Sequence, residues 1–126
     1  MEALKQFNKQ KYLNIETIRK NGQTVKTPVW FARDGDALLV WTQADSGKAK
    51  RIRNNGAVRV VPSDMSGAPL GEWVNAQAVA DKSPEALKHV EKLMQKKYGL
   101  MFFIYSQLGR MHSGSKRTTI KIQAQA

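Results

Sequence analysis

Apolar and polar positions alternate with a period of two over much of this chain, and two stretches switch to a helical period. Residues 1–10 are polar apart from Leu4 and Phe7, which suffice to anchor a short leading helix. From Tyr12 to Ile18, Leu13 and Ile15 alternate with Asn14 and Glu16, the pattern of a half-buried strand. Asn21-Gly22 is a turn signal, since both residues tolerate positive φ. Val25 to Arg33 predicts a second strand, and Pro28 within it requires an edge or a bulge, because proline has no N–H for a ladder. Asp34-Gly35 marks the next turn. Ala37 to Thr42 is a nearly continuous apolar run, the signature of a strand covered on both faces. Ala57 to Pro62 and Glu72 to Ala80 predict the fourth and fifth strands, separated by a polar turn region over 63–71. Ser83-Pro84-Glu85 opens a helix with an N-cap, a proline at the first position and an acid. Leu87, Val90 and Met94 form its apolar stripe and Gly99 stops it. Leu100 to Met111 predicts a second helical segment, too short to span a bilayer. His112 to Ser115 reads as a loop, and Lys116 to Ile122 as the last strand. About six strands with short helices after the third and fifth, joined by tight turns, predict an antiparallel sheet closing as a small barrel in one domain over residues 1–126.

The stretch from Trp41 to Asn55 stands apart. Its apolar run ends at Thr42, and four cations then fall at Lys48, Lys50, Arg51 and Arg53. Ser46 is a good N-cap for a short helix, with Ala49 and Ile52 turned to a core and Asn54-Asn55-Gly56 ending it, Gly56 as the cap. Lysines near a helix N-terminus oppose the helix dipole. An anion seated there would remove that conflict, held by free N–H groups, the Ser46 hydroxyl and lysine. A solvated basic helix with no ligand fits the same residues.

Composition narrows the partner. Lys and Arg number 21 against 10 Asp and Glu, a formal net charge of +11, which favours an acidic partner. No run of eighteen apolar residues is present, and the first residues lack the apolar stretch of a secretion signal. The absence of cysteine excludes disulfides and thiolate chemistry and fits the cytoplasm. His89 and His112 have no metal-ligand spacing, and neither a Gly-x-Ser-x-Gly elbow nor a glycine-rich phosphate loop occurs. No catalytic side chain can therefore be singled out, and any enzymatic chemistry falls to a cofactor. Trp30, Trp41 and Trp73 come from three strands and serve core packing or a flat surface for an aromatic ring; Trp41 is the better surface, because it directly precedes the basic helix.

Thr27-Pro28-Val29-Trp30-Phe31, Asp34-Gly35-Asp36, Leu39-Val40-Trp41-Thr42, Asp45-Ser46-Gly47-Lys48-Ala49-Lys50-Arg51-Ile52-Arg53 and Val58-Arg59-Val60 follow one another in a familiar order. From about residue 10 to 123 the chain resembles the pyridoxamine-5′-phosphate-oxidase-like split barrels, and more narrowly the flavin/deazaflavin oxidoreductases associated with coenzyme F420. The resemblance implies a mainly β, six-stranded split β-barrel of the FMN-binding type, paired as a homodimer with two cofactor sites built by both subunits. It implies a phosphate against Ser46, Lys48, Ala49, Lys50 and Arg53, and a ring along Thr27, Pro28 and Val29 and near Trp41 and Thr42. One departure is Gly56, where relatives often carry proline. The expected activity is hydride transfer between coenzyme F420 and a small organic substrate, in a cytoplasmic enzyme without a membrane partner. The glutamate tail of that coenzyme makes it more anionic than FMN, which suits the basic strip. FMN is the alternative cofactor, and a non-enzymatic flavin or haem binder the alternative role. Nucleic acid fits less well, because the aromatic residues lie in apolar strands and not among exposed cations.

Overall fold

In the computed structural model, which describes residues 2–104 and 116–125, every strand pairs antiparallel in one curled sheet. A 3₁₀ helix over Glu2–Phe7 leads into β1 (Tyr12–Ile18), β2 (Thr24–Trp30), β3 (Ala32–Asp34) and β4 (Ala37–Gln43). Helix α1 (Gly47–Asn54) follows, then β5 (Ala57–Ser63), β6 (Val74–Asp81), α2 (Pro84–Tyr98) and β7 (Arg117–Ala124). The spatial order is β2-β1-β5-β6-β7-β4-β3, so the sequence-distant β4 and β7 lie side by side. This is the split-barrel architecture, with seven strands in place of six.

The extra strand comes from a break at Phe31. Residues 25–33 read as one strand, but the ladder stops at Trp30 and resumes at Ala32. The Phe31 N–H donates to the Tyr98 hydroxyl of α2 at 3.0 Å. Its carbonyl accepts from that hydroxyl at 2.7 Å and from Lys97 Nζ at 2.9 Å. Side chains from α2 thus satisfy the backbone groups that a sheet partner would otherwise take. The Phe31 ring turns inward and meets Phe7 edge-on, with centroids 5.8 Å apart.

β4 is buried along its length because both faces are covered. Leu38 and Val40 point into the barrel core with Leu13, Ile15, Val60, Ile120 and Ile122. Ala37, Leu39 and Trp41 point outward, under Val90 and Met94 of α2 and Phe102. The α2 signals hold: the Ser83 hydroxyl accepts from the Ala86 N–H at 3.2 Å, and Gly99 ends the helix at φ 61°. Helical structure resumes over 100–104. The expectations for 105–115, His112 and its loop included, lie outside the described residues.

Two local expectations need correction. Gly56 does not cap α1; Asn55 does, in an extended conformation, with its N–H on the Arg51 carbonyl at 2.7 Å. Glycine is needed at 56 for another reason: a Cβ there would lie 2.6 Å from the Ala78 carbonyl, where β6 crosses behind the helix exit. Strand β6 begins at Val74, so Trp73 precedes it. That ring is flanked by two cations, the Lys26 ammonium 5.4 Å and the Arg59 guanidinium 5.0 Å from its centroid. Among the described residues no helix is long and apolar enough to cross a membrane.

Candidate functional site

Where β2, the end of β4 and the start of α1 converge, they enclose a cleft of about 240 Å³. Thr27, Pro28, Val29 and Trp30 line one side, Trp41, Thr42 and Lys48 another, and Tyr12, Met94 and Phe102 complete it. The walls are aromatic and held by their own packing. Trp41 meets Phe102 edge-on at 5.2 Å, and Trp30 stacks on Tyr98 at 4.6 Å with planes 9° apart. The Arg117 guanidinium lies 4.6 Å from the centroid of the Trp41 ring. Flat, fixed aromatic walls suit a flat ring, because little side-chain freedom remains to be lost on binding.

β2 offers backbone as well. Pro28 lies opposite Asn14, and Pro62 opposite Leu13 on the other side of β1. Neither proline can donate, so both take positions whose main-chain groups point away from β1. The Pro62 carbonyl indeed accepts from the Leu70 N–H at 2.7 Å, outside the β1 ladder. The Pro28 carbonyl likewise faces the outer edge of β2, which is the edge of the described sheet.

The cations of α1 divide between two flanks. At about 100° per residue, Ala49 and Ile52 form the buried ridge, Lys48 and Arg51 lie on one side of it, and Lys50 and Arg53 on the other. The Ser46 hydroxyl accepts from the Ala49 N–H at 3.2 Å and caps the helix. Arg51 donates from Nε to the Thr17 hydroxyl at 2.6 Å. Its Nη1 folds back over the first turn, 2.8 Å from where a Gly47 Cβ would stand. Burial, then the nearby Arg51 charge, holds the Lys48 ammonium below the ordinary lysine range. Among the described residues Arg59 forms an ion pair with Glu16 and His89 a hydrogen bond with Asp34, and neither Lys48 nor Arg51 has a carboxylate partner. Two neighbouring cations, partly desolvated, make a seat that an anion would stabilise.

Of the ten residues singled out from the sequence, Thr27, Pro28, Val29, Trp41, Thr42 and Lys48 meet at this cleft. Ser46 spends its acceptor on the cap, and Ala49 is fully buried in the ridge. Lys50 is exposed on the far flank. Arg53, beside it, donates to the Ala44 carbonyl at 2.9 Å. Tyr12, Met94 and Phe102 were not singled out. Met94 and Phe102 carried only the signal of apolar core positions, and no local pattern brings them to Trp41. His89 pairs with Asp34 at 2.9 Å on the surface, and no cluster of metal-ligating side chains occurs among the described residues.

Similar folds recur among solved structures. The heme storage protein HutZ from Vibrio cholerae superposes with a TM-score of 0.73 at 16% identity, covering 99% of this chain and 89% of that one. A conserved hypothetical protein from Mycobacterium tuberculosis gives 0.72 at 23% identity, over 99% and 79%. An F420 reductase gives 0.63 at 18% identity, over 98% and 93%. At these identities the likeness is one of fold. A comparison with curated proteins finds no match. The family described as Pyridoxamine 5'-phosphate oxidase matches residues 1–126, and the chain, a split barrel with an aromatic cleft beside a basic helix, belongs to it.

Proposed function

We propose that the chain is a homodimeric oxidoreductase that holds coenzyme F420 in the cleft and acts on a small organic substrate. The observation that carries this reading is the position of Lys48. It stands at the lip of an aromatic slot, partly buried beside Arg51, with no carboxylate partner for either cation among the described residues. A phosphate-bearing, ring-bearing ligand matches both halves at once. Lys48 and the first turn of α1 would hold its phosphate. Trp41, Phe102 and Trp30 would confine its ring and keep water from it, and the Pro28 carbonyl offers an acceptor to its polar edge. When bound, the deazaflavin ring supplies the hydride-transferring centre.

The net charge of +11 supports the deazaflavin over FMN, because its tail adds carboxylates that FMN lacks. FMN is the second reading, favoured by the single desolvated lysine in the cleft, which suffices for one phosphate. The dimer rests on segment 100–104. Leu100, Met101, Phe103 and Ile104 are 48–71% exposed, a concentration of apolar surface that pairing would cover. Strand β4, apolar enough to suggest an interface, is already covered within one chain.

Separate titrations with coenzyme F420, FMN and haemin, followed by ring fluorescence or absorbance, test the cofactor. Tightest binding of coenzyme F420 is expected. Tighter FMN binding promotes the second reading, and binding of haemin alone overturns both. Light scattering at micromolar concentration should give twice the 14.2 kDa chain mass; a monomer sinks the dimer.

A further inference from the structure

The turn between β1 and β2 forms, with Arg51, a second recess of about 420 Å³ lined by Arg19, Lys20, Asn21 and Arg51. We propose that this recess is an anion site, and that it takes the distal acidic groups of an elongated, linear polyanion whose near end lies at Lys48. The proposal rests on the reading of Lys48 as an anion anchor.

Three observations carry it. The recess contains three cations and no carboxylate, and Arg19, Lys20 and Arg51 are absent from the ion pairs of the described residues. The turn is also held in shape without them. The Arg19 N–H donates to the Gln23 carbonyl at 2.7 Å, the Gly22 N–H to the Arg19 carbonyl at 2.9 Å, and the Gln23 N–H to Asn21 Oδ1 at 3.0 Å. The Arg19 and Lys20 side chains are therefore exposed, and the fold does not use them. Finally, Arg51 joins the recess to the cleft. It belongs to the recess lining, yet its Nη1 reaches back over Gly47, next to Lys48, while Thr17 occupies only its Nε. Glycine at 47 leaves the room for that guanidinium.

The electrostatics point the same way. Arg51 is lowered in pKa by burial and then by Arg19, and Lys48 by burial and then by Arg51. The cations form a line in which each opposes the charge of the next. One phosphate at Lys48 relieves only one end. A linear oligocarboxylate or oligophosphate relieves the whole line, so ligand length is the property recognised. The recess has no aromatic lining on which bases could stack, which favours a small linear anion over single-stranded nucleic acid. Lys50 and Arg53, on the other flank of α1, lie off this line.

The test uses the whole chain, as wild type, as the double variant R19E/K20E, and as the conservative R19K/K20R. Calorimetric isotherms are taken for tripolyphosphate and orthophosphate, and fluorescence isotherms for glutamate-tailed coenzyme F420 and FMN. Reversing two charges should weaken tripolyphosphate and the tailed coenzyme by at least about tenfold, because charge-assisted contacts are the strong ones. Orthophosphate and FMN should bind as before, and R19K/K20R should bind all four like wild type. Tripolyphosphate binding unmoved by R19E/K20E overturns the recess, as does an equal loss for FMN and the tailed coenzyme. Because tripolyphosphate has no ring, its loss in R19E/K20E upholds the recess even where neither cofactor binds and the oxidoreductase reading fails. A single-stranded oligonucleotide that binds more tightly than tripolyphosphate, and is lost in R19E/K20E, overturns the small-anion class. Unchanged circular dichroism and melting temperature of the double variant exclude misfolding as the cause of any loss.

Discussion

The two faces of β4 make different things from neighbouring residues. Leu38 and Val40 enter a core sealed by the barrel, where every partner is a strand residue, a residue of α1 or the 3₁₀ helix, or Phe31. Leu39 and Trp41, on the other face, enter a cluster with α2, Phe102, Ala32 and Trp30, and that cluster opens onto the cleft. The inner face is pure packing. The outer face is packing whose last member doubles as a wall of the site, so stability and binding are separable on one face and coupled on the other.

The largest effect expected is at the inner face. Leu38→Ala leaves a cavity among fully buried neighbours and should cost about 2–5 kcal/mol of stability. Denaturant unfolding checks this, and cofactor affinity measured well below the midpoint should be unchanged. A large affinity loss would show that the two faces are not independent. Lys48→Ala comes next and should invert the pattern. Loss of a charge-assisted phosphate contact weakens binding by about 1.5–3 kcal/mol, roughly ten- to a hundredfold. Stability should hold or rise slightly, because a lysine at a helix N-terminus opposes the dipole. Unchanged affinity with a lowered melting temperature would return Lys48 to a structural role.

Phe102→Leu tests the coupled face. It keeps an apolar side chain but removes the edge contact with Trp41, a pair worth about 0.5–1.5 kcal/mol. Both stability and ring binding should fall by amounts of that order, in contrast to Leu38→Ala. A change in stability alone would mean that Trp41 holds its place without help.

The smallest effect is in pH. Burial lowers Lys97 to about 8, where it donates to the Phe31 carbonyl and lies 3.6 Å from the Phe31 ring centroid. The unfolded chain holds this proton up to the ordinary lysine value of about 10.4. Between these values the unfolded state binds more protons than the folded one, so stability should rise as pH increases from about 8 towards 10. Much of the side chain stays in contact with solvent, so the slope should be well below that of a fully buried lysine. Urea midpoints across this range, with Lys97→Met as the flat control, read it out.

The sequence was most informative where structure is decided locally. Residues 12–18 form β1, although Asn14, Glu16 and Thr17 are buried as well as Leu13 and Ile15, so the strand is covered on both faces and not half-buried as its alternation predicts; Ser46, Ser83-Pro84 and Gly99 bound helices as their chemistry requires. What local pattern could not supply depends on distant partners. The break at Phe31 is made by Tyr98, 67 positions away, and the need for glycine at 56 is set by a carbonyl of β6. The site divides likewise. Trp41, Thr42 and Lys48 are close in sequence and meet at the cleft, whereas Met94 and Phe102 arrive only because α2 crosses the outer face of β4. The cation run was legible as a run, but its division into two flanks follows only once Ala49 and Ile52 fix which side is buried.

The Tyr98 hydroxyl also bears on the order of folding. It accepts from the Phe31 N–H and shares its one proton between the carbonyls of Phe31 and of Lys11, 87 positions earlier in the chain. Loops of that length are among the most expensive to close, and they form after the hairpins that local contacts favour. This clasp should therefore be absent from the transition state. Tyr98→Phe would then speed unfolding and leave the refolding rate nearly untouched, so that the hydroxyl governs how long the native state lasts once formed.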